Sequence, residues 1–318
     1  MREKPILYFY HPGTAPIYAI VEVVQVFGAV CDLRYVPEAE TVRITSEDGS
    51  VTYQVPPDCL TPDTKELKRW IYRVLQKLTG YTSPWGCMTG IRPAKIVNTL
   101  TGEGYTPAEI KKHFTEFYYT TPEKADLAIE TARVQRPFLA PSAHRVVDFY
   151  VNIPFCPTRC LYCSFTSNSI VKYKKAVDPY LDSLEEELRA AAEMVRAMGA
   201  DVENLYLGGG TPTSLSETQF RRYMEMLARH LDLKNIPEFS LEAGRPDSVT
   251  PDKLEAAKAA GVTRISINPQ TMNDVTLKRI GRNHTAEQVE AAFYLAREKH
   301  FFNINMDIIA GLPYETEA

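Results

Sequence analysis

The chain has 318 residues, 44% hydrophobic and 24% charged, enough to bury a large core and ordinarily to form two domains. Its formal net charge of −4 excludes a global basic field, so nucleic acid is not an expected partner. No apolar run reaches the roughly 18 residues of a membrane-spanning helix, and Ile6-Leu7-Tyr8-Phe9-Tyr10 is too short for a signal-peptide core. No membrane segment is expected, and a reducing cytoplasm is the expected compartment.

Residues 1–60 predict a small α/β N-terminal segment. Strand character falls at Ile6–Tyr10, Leu33–Val36, Thr41–Ile44 and Val51–Val55, with an apolar helix at Ile17–Phe27 between the first two. Residues 61–140 predict a helical region. Leu67, Trp70, Ile71, Val74, Leu75 and Leu78 recur at helical spacing, and Thr61-Pro62 is expected to start that helix. Basic residues at 65, 68, 69, 73 and 77 of the same helix read as a solvated face, with an anionic or nucleic-acid partner as the alternative. Thr106-Pro107-Ala108-Glu109 predicts a capping box and Thr121-Pro122 another helix start. The run from Trp85 to Pro93 reads as a buried turn around a packed tryptophan. Gln135 to Ser142, with Pro137 and Pro141, reads as a linker.

From residue 146 to 318 strands and helices alternate. Near-continuous apolar strands are expected at Val146–Ile153, Asn204–Leu207, Glu238–Glu242, Arg264–Asn268 and Asn303–Ile309. The helix over 178–198 places Leu181, Leu184, Leu188, Ala191 and Val195 on one face. Ser216-x-x-Gln219, Thr250-Pro251 and Thr285-x-x-Gln288 predict further helix starts. This order predicts a parallel sheet with helices outside, curling toward a barrel. An open doubly wound sheet is the alternative. The chain stops just after the fifth strand, before a helix that could cover it, so a truncated barrel from a longer protein is expected.

Three of the six cysteines, Cys156, Cys160 and Cys163, fall within eight residues in a C-x3-C-x2-C spacing. Structural zinc wants four ligands in paired spacing, and Cys31, Cys59 and Cys87 lie far upstream. Three thiolates on one loop can hold three irons of a 4Fe-4S cluster and leave the fourth open to a ligand. Zinc and inert cysteines remain the alternatives to that reading. The active groups of a parallel barrel gather at the C-terminal ends of its strands. There the chain carries the three cysteines with Tyr150, then Gly208-Gly209-Gly210-Thr211, then Glu242, then Gln270 and Arg282, and then Asp307. An unpaired Glu242 at the end of an apolar strand is costly, and a cationic or hydroxyl-bearing ligand would satisfy it.

Over residues 146–318 these motifs resemble the radical S-adenosyl-L-methionine (SAM) superfamily. More narrowly, they resemble its oxygen-independent coproporphyrinogen-III oxidase (coproporphyrinogen dehydrogenase) group. The resemblance rests on Tyr150 to Cys156, the cysteine triad, Leu207 to Thr213, Gln270, Gly281 to Thr285 and Asp307 to Pro313. The N-terminal part with Gly90-Ile91-Arg92-Pro93 is similar to the HemZ type. The resemblance implies a partial parallel (β/α)6-type barrel. It implies a 4Fe-4S cluster on Cys156, Cys160 and Cys163, and SAM contacts at Tyr150, Tyr162, Gly209, Gly210, Thr211, Glu242, Gln270, Arg282 and Asp307. In that scheme the fork of Arg282 pairs with the SAM carboxylate. The implied activity is oxidative decarboxylation of coproporphyrinogen III propionates to vinyl groups, giving protoporphyrinogen IX in haem synthesis. A reductant such as flavodoxin or ferredoxin would supply electrons. Phe165 stands where the decarboxylases carry a further cysteine, as it does in the branch of haem chaperones. Asn152 stands where many relatives carry His. A haem-binding chaperone or carrier with no decarboxylase activity is the second function the resemblance implies.

Overall fold

The computed structural model describes residues 4–12, 17–37, 39–60, 63–139 and 145–316. Two compact units divide at the expected linker, Met1–Pro141 and Ser142–Ala318. Thr61-Pro62 and residues 140–142 of the expected linker lie outside the described residues; the start of that linker is helical instead, since the Arg136 amide still reaches the Ala132 carbonyl and Arg136–Phe138 forms a 3-10 turn.

The first unit opens with a four-stranded sheet ordered β2-β1-β3-β4. Its strands are β1 (Ile6–Tyr10), β2 (Asp32–Val36), β3 (Arg43–Ser46) and β4 (Thr52–Gln54), with α1 (Ile17–Gln25) after β1. β3 begins two residues later than expected, because Arg43 and Tyr10 set the register of the antiparallel pair. Four helices follow: α2 (Lys65–Thr79), α3 (Pro93–Gly102), α4 (Pro107–Phe117) and α5 (Pro122–Gln135). One core joins the sheet to these helices, with Phe9, Ile20, Phe27, Ile44, Leu67, Ile71 and Phe114 fully covered. Tyr72 is buried on α2, whereas Trp70 and Leu78 are only partly covered. Two of the basic residues of α2 face protein rather than solvent. Lys68 Nζ pairs with Glu22 at 2.6 Å, and the Arg69 guanidinium lies 4.2 Å from the Phe117 ring. The expected capping box at Thr106 and Glu109 is present.

The second unit contains β5 (Val146–Ile153), β6 (Phe155–Cys156), β7 (Asn168–Ser169), β8 (Asp201–Gly209), β9 (Glu238–Glu242), β10 (Arg264–Ser266) and β11 (Asn303–Asn305). Its helices are α6 (Val177–Ala197), α7 (Glu217–His230), α8 (Pro251–Ala260), α9 (Asp274–Arg279) and α10 (Ala286–Glu298). Five strands form one sheet in the order β11-β10-β9-β8-β5, every pair parallel. Each new strand is added on the same side. With right-handed crossovers, that order puts successive helices on one face, as in a barrel wall. A doubly wound sheet would reverse direction, so that alternative is set aside. No strand pairing closes the sheet among the described residues, as a partial barrel requires.

The strands are not uniformly apolar, and this corrects the sequence reading. Val151, Ile153, Leu205, Leu207, Phe239, Leu241, Ile265 and Ile267 turn one way and join the core. Their alternates are Tyr150, Asn152, Tyr206, Gly208, Ser240, Glu242 and Ser266. The register lines these up in rows: Tyr150 with Tyr206 and Ser240, and Glu242 with Ser266 and Asn305. Side chains alternate across a strand, so one face packs under helices while the other is a polar surface. On α6 the core contact is Ala192, one residue past the expected Ala191. Capping boxes at Ser216/Gln219 and Thr285/Gln288 start α7 and α10, and Thr250 accepts from the Lys253 amide at α8. β10 and β11 end earlier than expected, leaving Asn268, Gln270 and Asp307 on loops. The short helix α9, capped by Asn273, was not foreseen.

Candidate active site at the strand ends

One cavity of about 240 Å³ opens at the C-terminal ends of the five strands. It is lined by Cys156, Cys160, Cys163, Tyr162, Gly209, Gly210, Thr211, Glu242, Gln270, Arg282 and Asp307. Of the residues singled out from sequence, these all meet there, and only Tyr150 stands outside the lining. Its ring stacks on Tyr206 at 5.7 Å, beside the cavity. A larger cavity of about 980 Å³ lies in the first unit between Trp85, Ile91, Leu127 and Phe138. It gathers no cysteine, histidine or carboxylate, so size is not what marks the site.

The cysteine loop is held from two sides. Phe155 and Cys156 pair with Asn168 and Ser169, which fixes the first cysteine. The Leu161 amide donates to the Ile280 carbonyl at 2.9 Å, and Thr158 Oγ1 donates to the Gly281 carbonyl at 2.9 Å. The glycine turn then presses on this loop. Gly209 has φ +106°, and a side chain there would meet Asn152 Oδ1 at 1.8 Å. A Cβ at Gly210 would lie 2.7 Å from the Phe155 carbonyl oxygen and 2.9 Å from Cys156 Sγ. Thr211 Oγ1 approaches Cys156 Sγ at 3.5 Å. Glycine is required here because backbone meets backbone and sulfur. Burial pushes the Cys156 thiol up, opposed by the Thr211 contact and the Arg245 charge.

Glu242 is not the unpaired carboxylate that its sequence position implied. The Tyr206 hydroxyl donates to its Oε1 at 2.6 Å. Burial still raises its pKa; the Tyr206 bond opposes that shift and the Asp307 charge adds to it. Gln270 adopts φ 64°, rare for a residue with a side chain. Its amide donates to the Asp307 carbonyl and its carbonyl accepts from Ile309, both at 2.9 Å, which bolts the loops after β10 and β11 together.

Arg282 also differs from expectation. Its fork is already used: Nη1 donates to the Asn268 carbonyl at 2.9 Å, and Nη2 donates to the Gly244 carbonyl. Nε is buried without a partner. A buried N–H left unpaired is costly, so it is the atom of this side chain that an anionic ligand would complete. His284, set apart from the site by sequence, is 3% exposed and does not line the cavity. Burial, reinforced by the Arg282 charge, lowers its pKa to about 4.

Sequence reasoning missed Arg245, Asn268 and Thr158, which also line the cavity. Asn268 and Arg245 sit just past the ends of β10 and β9, so the strand-end argument reaches both. Thr158 carries no comparable signal.

The donor set suits an iron–sulfur cluster. Among the described residues no three His, Cys, Asp or Glu side chains are grouped to hold one metal ion. A cubane instead takes one thiolate per iron, and three thiols open on one cavity here. The orphaned Arg282 Nε and the carboxylates of Glu242 and Asp307 on the same cavity suit a polar, charged cosubstrate beside it.

A family model described as the radical SAM superfamily matches residues 150–318. Over 247 residues the chain is 40% identical to the oxygen-independent coproporphyrinogen-III oxidase-like protein HemZ of Bacillus subtilis, covering 76% of this chain and 49% of that protein. It is 40% identical over 168 residues to the heme chaperone HemW of Bacillus subtilis, covering 52% of this chain and 43% of that one. The oxygen-independent coproporphyrinogen III oxidase of Escherichia coli is 33% identical over 172 residues, covering 54% and 37%. The chain thus spans less than half the length of each of these relatives. No helix among the described residues is long and apolar enough to cross a membrane. With its match covering more than half of the chain, from Tyr150 in β5 through the cysteine loop and the other four strands of the parallel sheet, this chain belongs to the radical SAM superfamily, whose members bind a 4Fe-4S cluster and SAM.

Proposed function

We propose that this chain carries the catalytic core of a SAM-dependent oxidative decarboxylase, acting on coproporphyrinogen III propionates to give the vinyl groups of protoporphyrinogen IX. The observation that carries the chemistry is the single cavity that joins three cysteines to the glycine turn, Glu242, Gln270, Arg282 and Asp307. The substrate reading is supported by the 40% identity to a coproporphyrinogen-III oxidase-like protein over three quarters of the chain.

In this reading Cys156, Cys160 and Cys163 hold the cluster. When bound, cluster and SAM supply one-electron reduction and a hydrogen-abstracting radical. The Gly209-Gly210-Thr211 turn offers backbone groups to the methionine end of SAM, and Arg282 Nε meets its carboxylate. Glu242 and Asp307 accept from its ammonium or ribose hydroxyls. Tyr162 and Tyr150 flank the cofactor with aromatic rings. Lys172, Lys174 and Lys175 are exposed just after Ser169, whose strand partner is Cys156. They offer positive charge to propionates. The electron donor in this scheme is a small reductant protein of the flavodoxin or ferredoxin kind, and the compartment is the cytoplasm.

A second reading is a haem-binding chaperone. Phe165, two residues past Cys163, is 69% exposed at the cavity, and the resemblance to HemW covers half the chain. Anaerobic reconstitution of the full-length protein with SAM, reductant and coproporphyrinogen separates the two. Vinyl product is expected. Tight stoichiometric haem binding without product overturns the decarboxylase reading. Cys160→Ala is expected to abolish the visible charge-transfer absorption of the reconstituted chain, and its survival would remove the cluster assignment.

A further inference from the structure

Arg245 lies in the loop after β9 and is 3% exposed. Its Nε and Nη2 hold both oxygens of Asp247, at 3.1 and 3.2 Å. On the opposite side Nη1 donates to Thr158 Oγ1 at 2.9 Å and points an N–H toward Cys160 Sγ at 3.9 Å. The guanidinium thus stands between a carboxylate and the cysteine loop. Its positive end is turned to the sulfur, and the compensating charge is held behind it. Charges in a buried setting are weakly screened, so the nearer cation dominates at the sulfur.

We propose that Arg245 is a positioning residue that raises the reduction potential of the cluster on Cys156, Cys160 and Cys163, with Asp247 acting in the opposite sense. The proposal rests on the cluster reading above. Reduction adds negative charge to the cluster, and a donor and a cation at a ligating sulfur stabilise that added charge. The loop has anchors apart from Arg245, namely the Thr158 bond to Gly281 and the Leu161 bond to Ile280. Variants at Arg245 are therefore expected to keep the loop in place.

The test is a potentiometric titration without SAM, followed by electron paramagnetic resonance, on the reconstituted wild type, Arg245→Gln, Arg245→Lys and Asp247→Asn. Arg245→Gln is expected to lower the reduction equilibrium constant at least tenfold, a shift of about 59 mV to lower potential for one electron. Arg245→Lys keeps the charge but not the fork and is expected to shift less. Asp247→Asn is expected to shift the opposite way, since it removes the opposing charge. Normal iron and sulfide content with unmoved potentials in both Arg245→Gln and Asp247→Asn overturns the proposal and leaves the cluster reading standing. If Arg245→Gln takes up no cluster, Asp247→Asn alone decides, and the absence of an upward shift overturns the proposal. A wild-type chain that takes up no cluster overturns both.

Discussion

Adding one methyl group at Gly210 tests how tightly the glycine turn and the cysteine loop are fitted. In Gly210→Ala the new Cβ lies 2.7 Å from the Phe155 carbonyl oxygen and 2.9 Å from Cys156 Sγ. The Phe155 carbonyl cannot retreat cheaply. The Phe155 carbonyl already accepts from the Thr211 amide at 2.8 Å and from Ser214 Oγ at 3.1 Å. Gly210 itself is tied through its amide to the Ile153 carbonyl at 2.8 Å. Overpacking of this kind costs about 1–3 kcal/mol. Losing the Thr211 bond adds about 0.5–1.5 kcal/mol. The sum, about 1.5–4.5 kcal/mol, corresponds to roughly 3–18 °C in the melting temperature of a unit this size. Calorimetry on the cluster-free chain reads the transition of the second unit. Trp70 and Trp85 both lie in the first unit, so tryptophan fluorescence follows the first unit separately. Cluster iron after reconstitution is expected to fall as Cys156 is displaced. Gly208→Ala is the comparison: its Cβ meets the Tyr206 ring, the Tyr150 hydroxyl and Glu242 Oε2 at 2.9–3.1 Å, all side chains that can turn aside. Wild-type melting and iron content in Gly210→Ala would refute the close-fit argument.

Arg282→Lys removes the fork that bridges Asn268 and Gly244 and the unpaired Nε; SAM affinity of the reconstituted protein, by calorimetric titration, is expected to weaken at least tenfold, and an unchanged affinity would count against the role proposed for Nε. Lys253, 8% exposed, donates to the Thr213 carbonyl at 2.7 Å and the Ser248 carbonyl at 3.0 Å. Lys253→Met leaves both unpaired and is expected to cost about 1–3 kcal/mol in denaturant unfolding; a loss under about 0.5 kcal/mol would contradict it. His284 has a folded pKa near 4 against 6.5 for the free side chain. The unfolded chain therefore binds the extra proton first, so stability is full above about pH 6.5 and falls as the pH drops toward 4, by up to about 3 kcal/mol. His284→Gln is expected to flatten that part of the profile, and an unchanged slope between pH 7.5 and 4.5 would show that another group carries it.

Much of the site was legible because its signals are local. The cysteine spacing, the triple glycine and the capping boxes each sit within a few residues, and each has a short-range physical reason. What stayed hidden were the partners of those residues. Nothing near Glu242 in sequence announces Tyr206, and nothing near Arg282 shows that two carbonyls fill its fork. An apolar run does not show which way each strand faces, since only alternate residues turn toward the helices. The two engagements of Arg245, Asp247 nearby and Thr158 far upstream, meet only after folding.

The sequence alone determined the class of chemistry, through three thiols spaced to serve one cluster, and the β-α order, through periodicity and helix starts. Only the tertiary structure decided the winding of the sheet, the polar face that the strands turn toward the cavity, and which donors remain free there. Thr158 bonds Gly281 across 123 residues of chain. Contacts of that span depend on how strands stack and on which face each side chain emerges, and neither is written in any local pattern.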